Sequence, residues 1–145
     1  MKIALGADHG GFELKETIKK ALEADGHTIV DLGTHSTDSV DYPYYGAAVG
    51  RAVADGTVDR GIAVCGTGIG ISIAANKIKG VRAALCTSLY MAELTRRHND
   101  SNVLCLGGRV TDLELGVQIA KLWIETEFEG GRHQKRIDMI HELEK

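Results

Sequence analysis

Short apolar runs alternate along the chain with longer stretches whose apolar positions recur at helical spacing. Lys2 to Ala7 predicts a buried strand, and Phe12 to Asp25 a helix with Phe12, Leu14, Ile18, Ala21 and Leu22 near one face. Gly26 is its expected stop. Thr28 to Leu32 predicts a second strand, 33–43 a polar loop, and Tyr44 to Asp55 a helix closed by Gly56. Arg60 to Cys65 is a third strand, continuously apolar after Arg60, as when both faces of a sheet are covered. A glycine loop, Gly66 to Gly70, leads to a helix over Ile71 to Lys79, ended by Gly80. Arg82 to Cys86 and Val103 to Leu106 predict strands four and five, with a helix over Ser88 to His98 between them. Thr111 to Glu125 predicts a helix, with Thr111 and Glu114 at capping-box spacing. Gly130 and Gly131 precede a last helix, Arg132 to Lys145.

Five strands alternating with helices predict an α/β protein. The expected architecture is a three-layer, Rossmann-like sandwich: a five-stranded parallel sheet with helices on both faces and an extra C-terminal helix. No internal repeat or long linker divides residues 1–145, so one domain is expected.

Composition narrows the function. The 145 residues carry a net charge of −3, which offers no basic field for nucleic acid. No apolar run is long enough to span a membrane, and the start lacks the apolar core of a signal peptide. Cys65, Cys86 and Cys105 all lie in apolar stretches, which suits reduced thiols and a cytoplasmic location. The 18 glycines, with a single proline, point to tight turns or backbone held close to a ligand.

In a parallel sheet, ligands bind at the carboxyl ends of the strands. Asp8, His9, Gly10 and Gly11 follow strand one, and Thr34, His35, Asp41 and Tyr42 lie in the loop after strand two. Cys65 ends strand three before Gly66, Thr67, Gly68, Ile69 and Gly70. Thr87 and Ser88 follow strand four; Gly107, Gly108 and Arg109 follow strand five.

The glycine loop lacks the third glycine and the later acidic residue of a dinucleotide site, and lacks the Gly-Lys-Ser/Thr of a P-loop. It is either a tight strand-to-helix turn or a row of N–H groups for an anion or oxyanion. Cys65 faces the same helix start, where a thiolate is favoured; otherwise it is a small buried hydrophobe, the reading given to Cys86 and Cys105. His98 is expected at a helix end with Asn99 as the stop, and Arg96 and Arg97 beside it. His9, next to Asp8, is a stronger candidate, whereas His27, His35 and His141 have no evident company. Arg132 and Arg136 share a helix face, fit for a phosphate monoester or simply solvated. No metal-ligand spacing is evident, so no metal is expected.

The stretches Gly6–Phe12, Asp41-Tyr42-Pro43, Cys65–Lys77, Arg97–Leu104, Gly107–Val110 and Glu129–His133 occur in one order from end to end. Together they resemble the B-type ribose-5-phosphate isomerases, whose family also includes galactose- and allose-6-phosphate isomerases. The resemblance implies cofactor-independent aldose–ketose isomerisation through an enediol, within pentose phosphate metabolism. It implies Cys65 as the base and His98 as the proton donor in ring opening, with Thr67 beside them. Asp8, His9 and Tyr42 would hold the sugar, and Gly66, Thr67, Gly68, Ile69 and Gly70 would receive the enediolate oxygen. Asn99, Arg109, Arg132 and Arg136 would complete the site, the arginines chiefly at the phosphate. Some relatives use a loop carboxylate as base; this loop holds no Asp or Glu, which leaves Cys65. The resemblance also implies a homodimer, or a pair of dimers, with sites shared between subunits. A hexose 6-phosphate isomerase and a non-catalytic sugar-phosphate sensor are the alternative readings.

Overall fold

Strands β1 (Lys2–Ala7), β2 (Thr28–Asp31), β3 (Arg60–Cys65), β4 (Ala83–Leu85) and β5 (Val103–Gly107) form one parallel sheet in the order β2-β1-β3-β5-β4. The computed structural model describes all 145 residues. Helices α1 (Phe12–Ala24), α2 (Tyr42–Ala54), α3 (Ile69–Asn76), α4 (Leu89–Asn99) and α5 (Leu113–Glu125) cover its two faces, and α6 (Arg132–Glu142) closes the chain. No helix is long and apolar enough to cross a membrane.

The strands alternate because successive side chains point to opposite faces. Ile62 and Val64 of β3, with Leu104 and Leu106 of β5, pack against Leu14, Ile18, Ile119 and Trp123. Ala63 and Cys65, with Val103 and Cys105, meet Val49, Ile71 and Ala75 on the other face. Both cores exclude water, which is why the strands read as continuous apolar runs. Close packing of α2 depends on missing side chains: a Cβ on Gly6 would stand 2.6 Å from Val49 Cγ2, and one on Gly46 2.9 Å from Ile71.

Several predicted boundaries shift. Helix α2 begins at Tyr42, because Pro43 has no N–H to lose in a first turn. Helix α3 begins at Ile69, two residues early, and ends at Asn76. Helix α5 is capped by Asp112, whose carboxylate accepts the Leu115 N–H at 2.9 Å, and not by Thr111. Helix α4 continues through Asn99, and Asp100 makes the stop with φ at +45°.

Two histidines expected to lack company have partners. His27 Nδ1 lies 3.4 Å from the terminal amine. His141 stands between Arg82 Nη1 and Glu144 Oε1, at 2.7 Å from each. Because arginine only donates, Nε2 of His141 must accept, leaving Nδ1–H to donate to Glu144. Glu144 Oε2 also accepts the Gly80 N–H at 2.8 Å, so α6 is fastened to the turn before β4.

Candidate active site

Three loops meet at the carboxyl ends of β1, β3 and β5, with almost no side chains between them. Gly108 N–H donates to the Cys65 carbonyl at 2.7 Å, and Arg109 N–H to the Gly66 carbonyl at 2.9 Å. A Cβ on Gly10 would stand 3.1 Å from Gly66 Cα, and one on Gly107 2.5 Å from the Thr67 carbonyl. A Cβ on Gly108 would collide with the Gly10 carbonyl oxygen. These contacts form a floor of backbone, on which a small ligand can approach peptide groups directly.

Cys65 is buried at the end of this floor, and its Sγ accepts the Gly68 N–H at 3.2 Å. Gly68 reaches that position with φ at +82°, in the left-handed region that glycine occupies freely. Thr67 Oγ1 accepts the Ile69 N–H at 3.2 Å, just ahead of α3, whose N-cap is Gly68. The N–H groups of Gly66, Thr67, Gly70 and Ile71 have no acceptor within the chain. Of the five N–H groups expected as a row of donors, Gly66, Thr67 and Gly70 are free, while those of Gly68 and Ile69 are already engaged. Gly70 and Ile71 contribute from the first turn of α3, where the helix dipole adds to them. Ile71 adds a donor beyond the glycine loop, because α3 starts at Ile69 and leaves its N–H in the unbonded first turn.

Around the donors stand the polar side chains. Asp8 is buried, and one of its oxygens accepts the Gly10 and Gly11 N–H groups at 2.9 and 3.2 Å. His9 Nδ1 accepts the Val40 N–H at 3.2 Å, so a neutral His9 ring carries its hydrogen on the free Nε2. The Tyr42 ring lies over Gly70; a Cβ there would be 2.7 Å from its Cε1. The exposed Arg109 guanidinium reaches over Gly10 and Gly66, with no carboxylate paired to it. The other two thiols are remote from such chemistry. Burial pushes the Cys86 thiol up to about 11, and raises that of Cys105 as well.

The remaining site residues lie elsewhere. Helix α4 leaves the carboxyl end of β4 and returns to the amino end of β5, so His98 and Asn99 fall at the amino edge of the sheet. Contacts mark that edge: Arg82, ahead of β4, donates to the Asn99 and Asp100 carbonyls, and Gly61 N–H donates to Asn102. Arg96 is buried and held by Asp100, Ser101 and Thr126, while Arg97 pairs with Glu93. The charges flanking His98 are thus compensated. Helix α6 starts beside this end of α4, through a 3.0 Å bond from Glu129 N–H to the Arg97 carbonyl. Arg132 and Arg136 are exposed there and free of carboxylates. The chain brings Asp8, His9, Tyr42, Cys65, residues 66–70 and Arg109 together at one end. It gathers His98, Asn99, Arg132 and Arg136 at the other.

An apolar cleft of about 320 Å³ runs along α4 and the edge strand β4, between Leu85, Cys86, Tyr90 and Leu94, with Asn99 at one end of its lining.

Known proteins resemble this chain over nearly its full length. The family model described as ribose/galactose isomerase matches residues 3–140. Ribose-5-phosphate isomerase B of Escherichia coli is 51% identical over 143 residues, covering 99% of this chain and 96% of the relative. The structure of ribose-5-phosphate isomerase B from Clostridium thermocellum superposes with a TM-score of 0.98 at 53% identity, covering 99% and 97% of the two chains. That of the Mycoplasma genitalium enzyme with bound ribulose-5-phosphate gives 0.95 at 41% identity, covering 99% and 95%.

Proposed function

From its membership of the ribose/galactose isomerase family, we infer that this chain interconverts ribose 5-phosphate and ribulose 5-phosphate. The reaction moves a carbonyl from C1 of the aldose to C2 of the ketose. A base must take the proton from C2 and return one to C1, and the enediolate between them must be stabilised.

The observation that carries the assignment of roles is the placement of Cys65 Sγ beside unpaired backbone donors. Cys65, as thiolate, takes the C2 proton and gives it back at C1. The free N–H groups of Gly66, Thr67 and Gly70, joined by that of Ile71, hold the oxygen on which charge develops, while the Gly68 and Ile69 N–H groups are engaged by Cys65 and Thr67. Each such preorganised donor contributes about 3 kcal/mol to transition-state stability. Asp8, His9 and Tyr42 grip the sugar hydroxyls, and the Nε2–H of His9 is the donor its tautomer leaves free. Arg109, Arg132 and Arg136 take the phosphate, whose binding orients the reacting carbons. His98 opens the sugar ring as proton donor, with Asn99 beside it. No metal or cofactor is assigned a step.

His98 and the two α6 arginines lie at the far end of the sheet from Cys65. Each site is accordingly composed by two copies of the chain, as a homodimer or a pair of dimers. Exposed apolar side chains near the carboxyl edge support this: Ile69, Ile73, Tyr90, Met91 and Val110 are each at least 40% exposed. Burying such groups on a second copy stabilises association by about 25 cal/mol per Å².

The test is to incubate the purified protein with ribose 5-phosphate in excess chelator and follow ketose formation. Ketose at an enzyme-like rate is expected. Absence of ketose, with turnover of a six-carbon phosphate, would move the substrate assignment; absence with both would overturn the enzymatic reading.

A further inference from the structure

His98 is not alone at the end of α4. Its ring lies against that of His133, the second residue of α6, with centroids 4.3 Å apart and planes 13° from parallel. His133 is 4% exposed, and its Nε2 is the one buried side-chain polar atom without a hydrogen-bond partner. Glu129 Oε1 approaches that nitrogen to 3.5 Å without forming a hydrogen bond.

The ligand atoms of His98, Glu129 and His133 lie within 4.8 Å of one another, which raises the question of a metal ion. The stacking argues against one. Imidazole lone pairs lie in the ring plane, and in nearly parallel rings they run side by side instead of converging on one ion. Nitrogen ligands of a zinc ion must each come within about 2.0–2.1 Å of it, along directions that meet.

We propose that His133 is a positioning residue for His98: its flat face fixes the plane of the His98 ring so that the ring nitrogen meets the sugar's ring oxygen. This rests on the reading of His98 as the ring-opening donor. The anchoring is built into the fold. The left-handed φ of Gly130 and Gly131 (73° and 57°) turns the chain into α6, and the Glu129–Arg97 bond ties that turn to α4. Buried Ile137, one turn on, holds the helix down. Leaving a polar nitrogen unpaired in the interior is costly. Shape is what that nitrogen's ring supplies: the planar surface that the half-buried His98 ring needs to keep one orientation.

Chemistry separates this role from a general structural one. The aldose substrate is mostly cyclic and must be opened, whereas ribulose 5-phosphate is already open. Exchange of its C1 hydrogen with solvent requires only the base and the oxyanion donors. His133→Leu removes the flat face and is expected to lower kcat for the aldose about tenfold, KM changing little. Solvent-deuterium exchange into the ketose should stay within about twofold of the original rate. His133→Phe restores a planar ring and should recover most aldose turnover. Equal loss of turnover and exchange in the leucine variant would overturn the proposal, as would a phenylalanine variant no better than leucine. If His98→Asn slows exchange as much as turnover, the ring-opening role of His98 fails. The stack is then judged by the leucine–phenylalanine comparison alone.

Discussion

At the scale of single residues, the site depends on a few atoms with no substitute nearby. Cys65→Ala removes the only base candidate on the backbone floor. Turnover should fall to background while ribose 5-phosphate still binds, as isothermal calorimetry would show; near-normal turnover would sink the role given to Cys65. If Arg136 grips the phosphate as proposed, Arg136→Ala should raise KM by roughly ten- to a hundredfold, with a smaller change in kcat. The sequence made these residues visible because their types are unusual at their positions: a thiol ending an apolar strand, two arginines one turn apart. It did not make His133 visible as a partner of His98. Thirty-five positions separate them, and stacking leaves no trace in local spacing. The contact of His27 with the terminal amine and that of His141 with Arg82 are hidden for the same reason, whereas Glu144 lies only three residues from His141.

At the scale of elements, the strand-to-helix turns decide geometry and the buried ion pairs decide pH response. A Cβ at Gly68 would stand 2.5 Å from Leu85 Cδ1 and 2.8 Å from the Leu106 carbonyl carbon, in a conformation that disfavours any side chain. Gly68→Ala should therefore cost about 2 kcal/mol in urea denaturation and displace the N–H that now meets Cys65. At the carboxyl end of β2, Asp31 sits against the fully buried Lys15 at 2.8 Å and Lys19 at 3.2 Å. Burial pushes the Asp31 carboxyl up, but its bonds from Lys15, the Gly33 N–H and Lys19 outweigh this and hold it below the usual carboxylate range. A depressed folded value means that the stabilisation is complete above the unfolded value near 3.9 and is lost as pH falls through the folded one. Asp31→Asn should cost about 2 kcal/mol at pH 7, because Lys15 keeps only Glu16, at 2.9 Å, as a charged partner, and the difference should shrink below pH 3. A constant difference across that range would remove Asp31 from the acid response. The element types were legible throughout, because apolar runs and helical periodicity differ so clearly here. Their ends were less so: Pro43 inside a first turn and the Asp112 cap are settled by where an N–H finds its acceptor, which hydrophobic pattern does not encode.

At the scale of the molecule, the two halves of the proposed site sit at opposite edges of one sheet. A parallel sheet with right-handed crossovers could be expected from the alternation of strands and helices, whereas the order β2-β1-β3-β5-β4 is seen only in the fold. The separation of His98 from Cys65 could not be read from spacing, since it depends on α4 running back against its strands. It yields a sharp test. Cys65→Ala and His98→Asn variants should each be inactive alone. Unfolded together and refolded as mixed dimers, they should recover about a quarter of the original activity, because half the dimers are mixed and one site in each is intact. No recovery from well-folded mixtures would mean that each chain completes its own site.

The meeting of Gly10, Gly66, Gly107 and Gly108 has a consequence for how such a catalyst can change over evolutionary time. Gly10, Gly107 and Gly108 accept no side chain without pressing on a neighbouring loop's backbone, and one on Gly66 would displace Arg109, so the proposed oxygen-holding surface is largely closed to ordinary variation. Drift toward a longer or differently configured sugar would then come from what surrounds that surface: His9, Tyr42, Arg109 and, in the proposed dimer, the residues of the second copy. The chemistry is conserved by the absence of side chains, while substrate choice stays open to selection. A laboratory search for six-carbon activity should therefore randomise those surrounding positions and leave the glycines untouched.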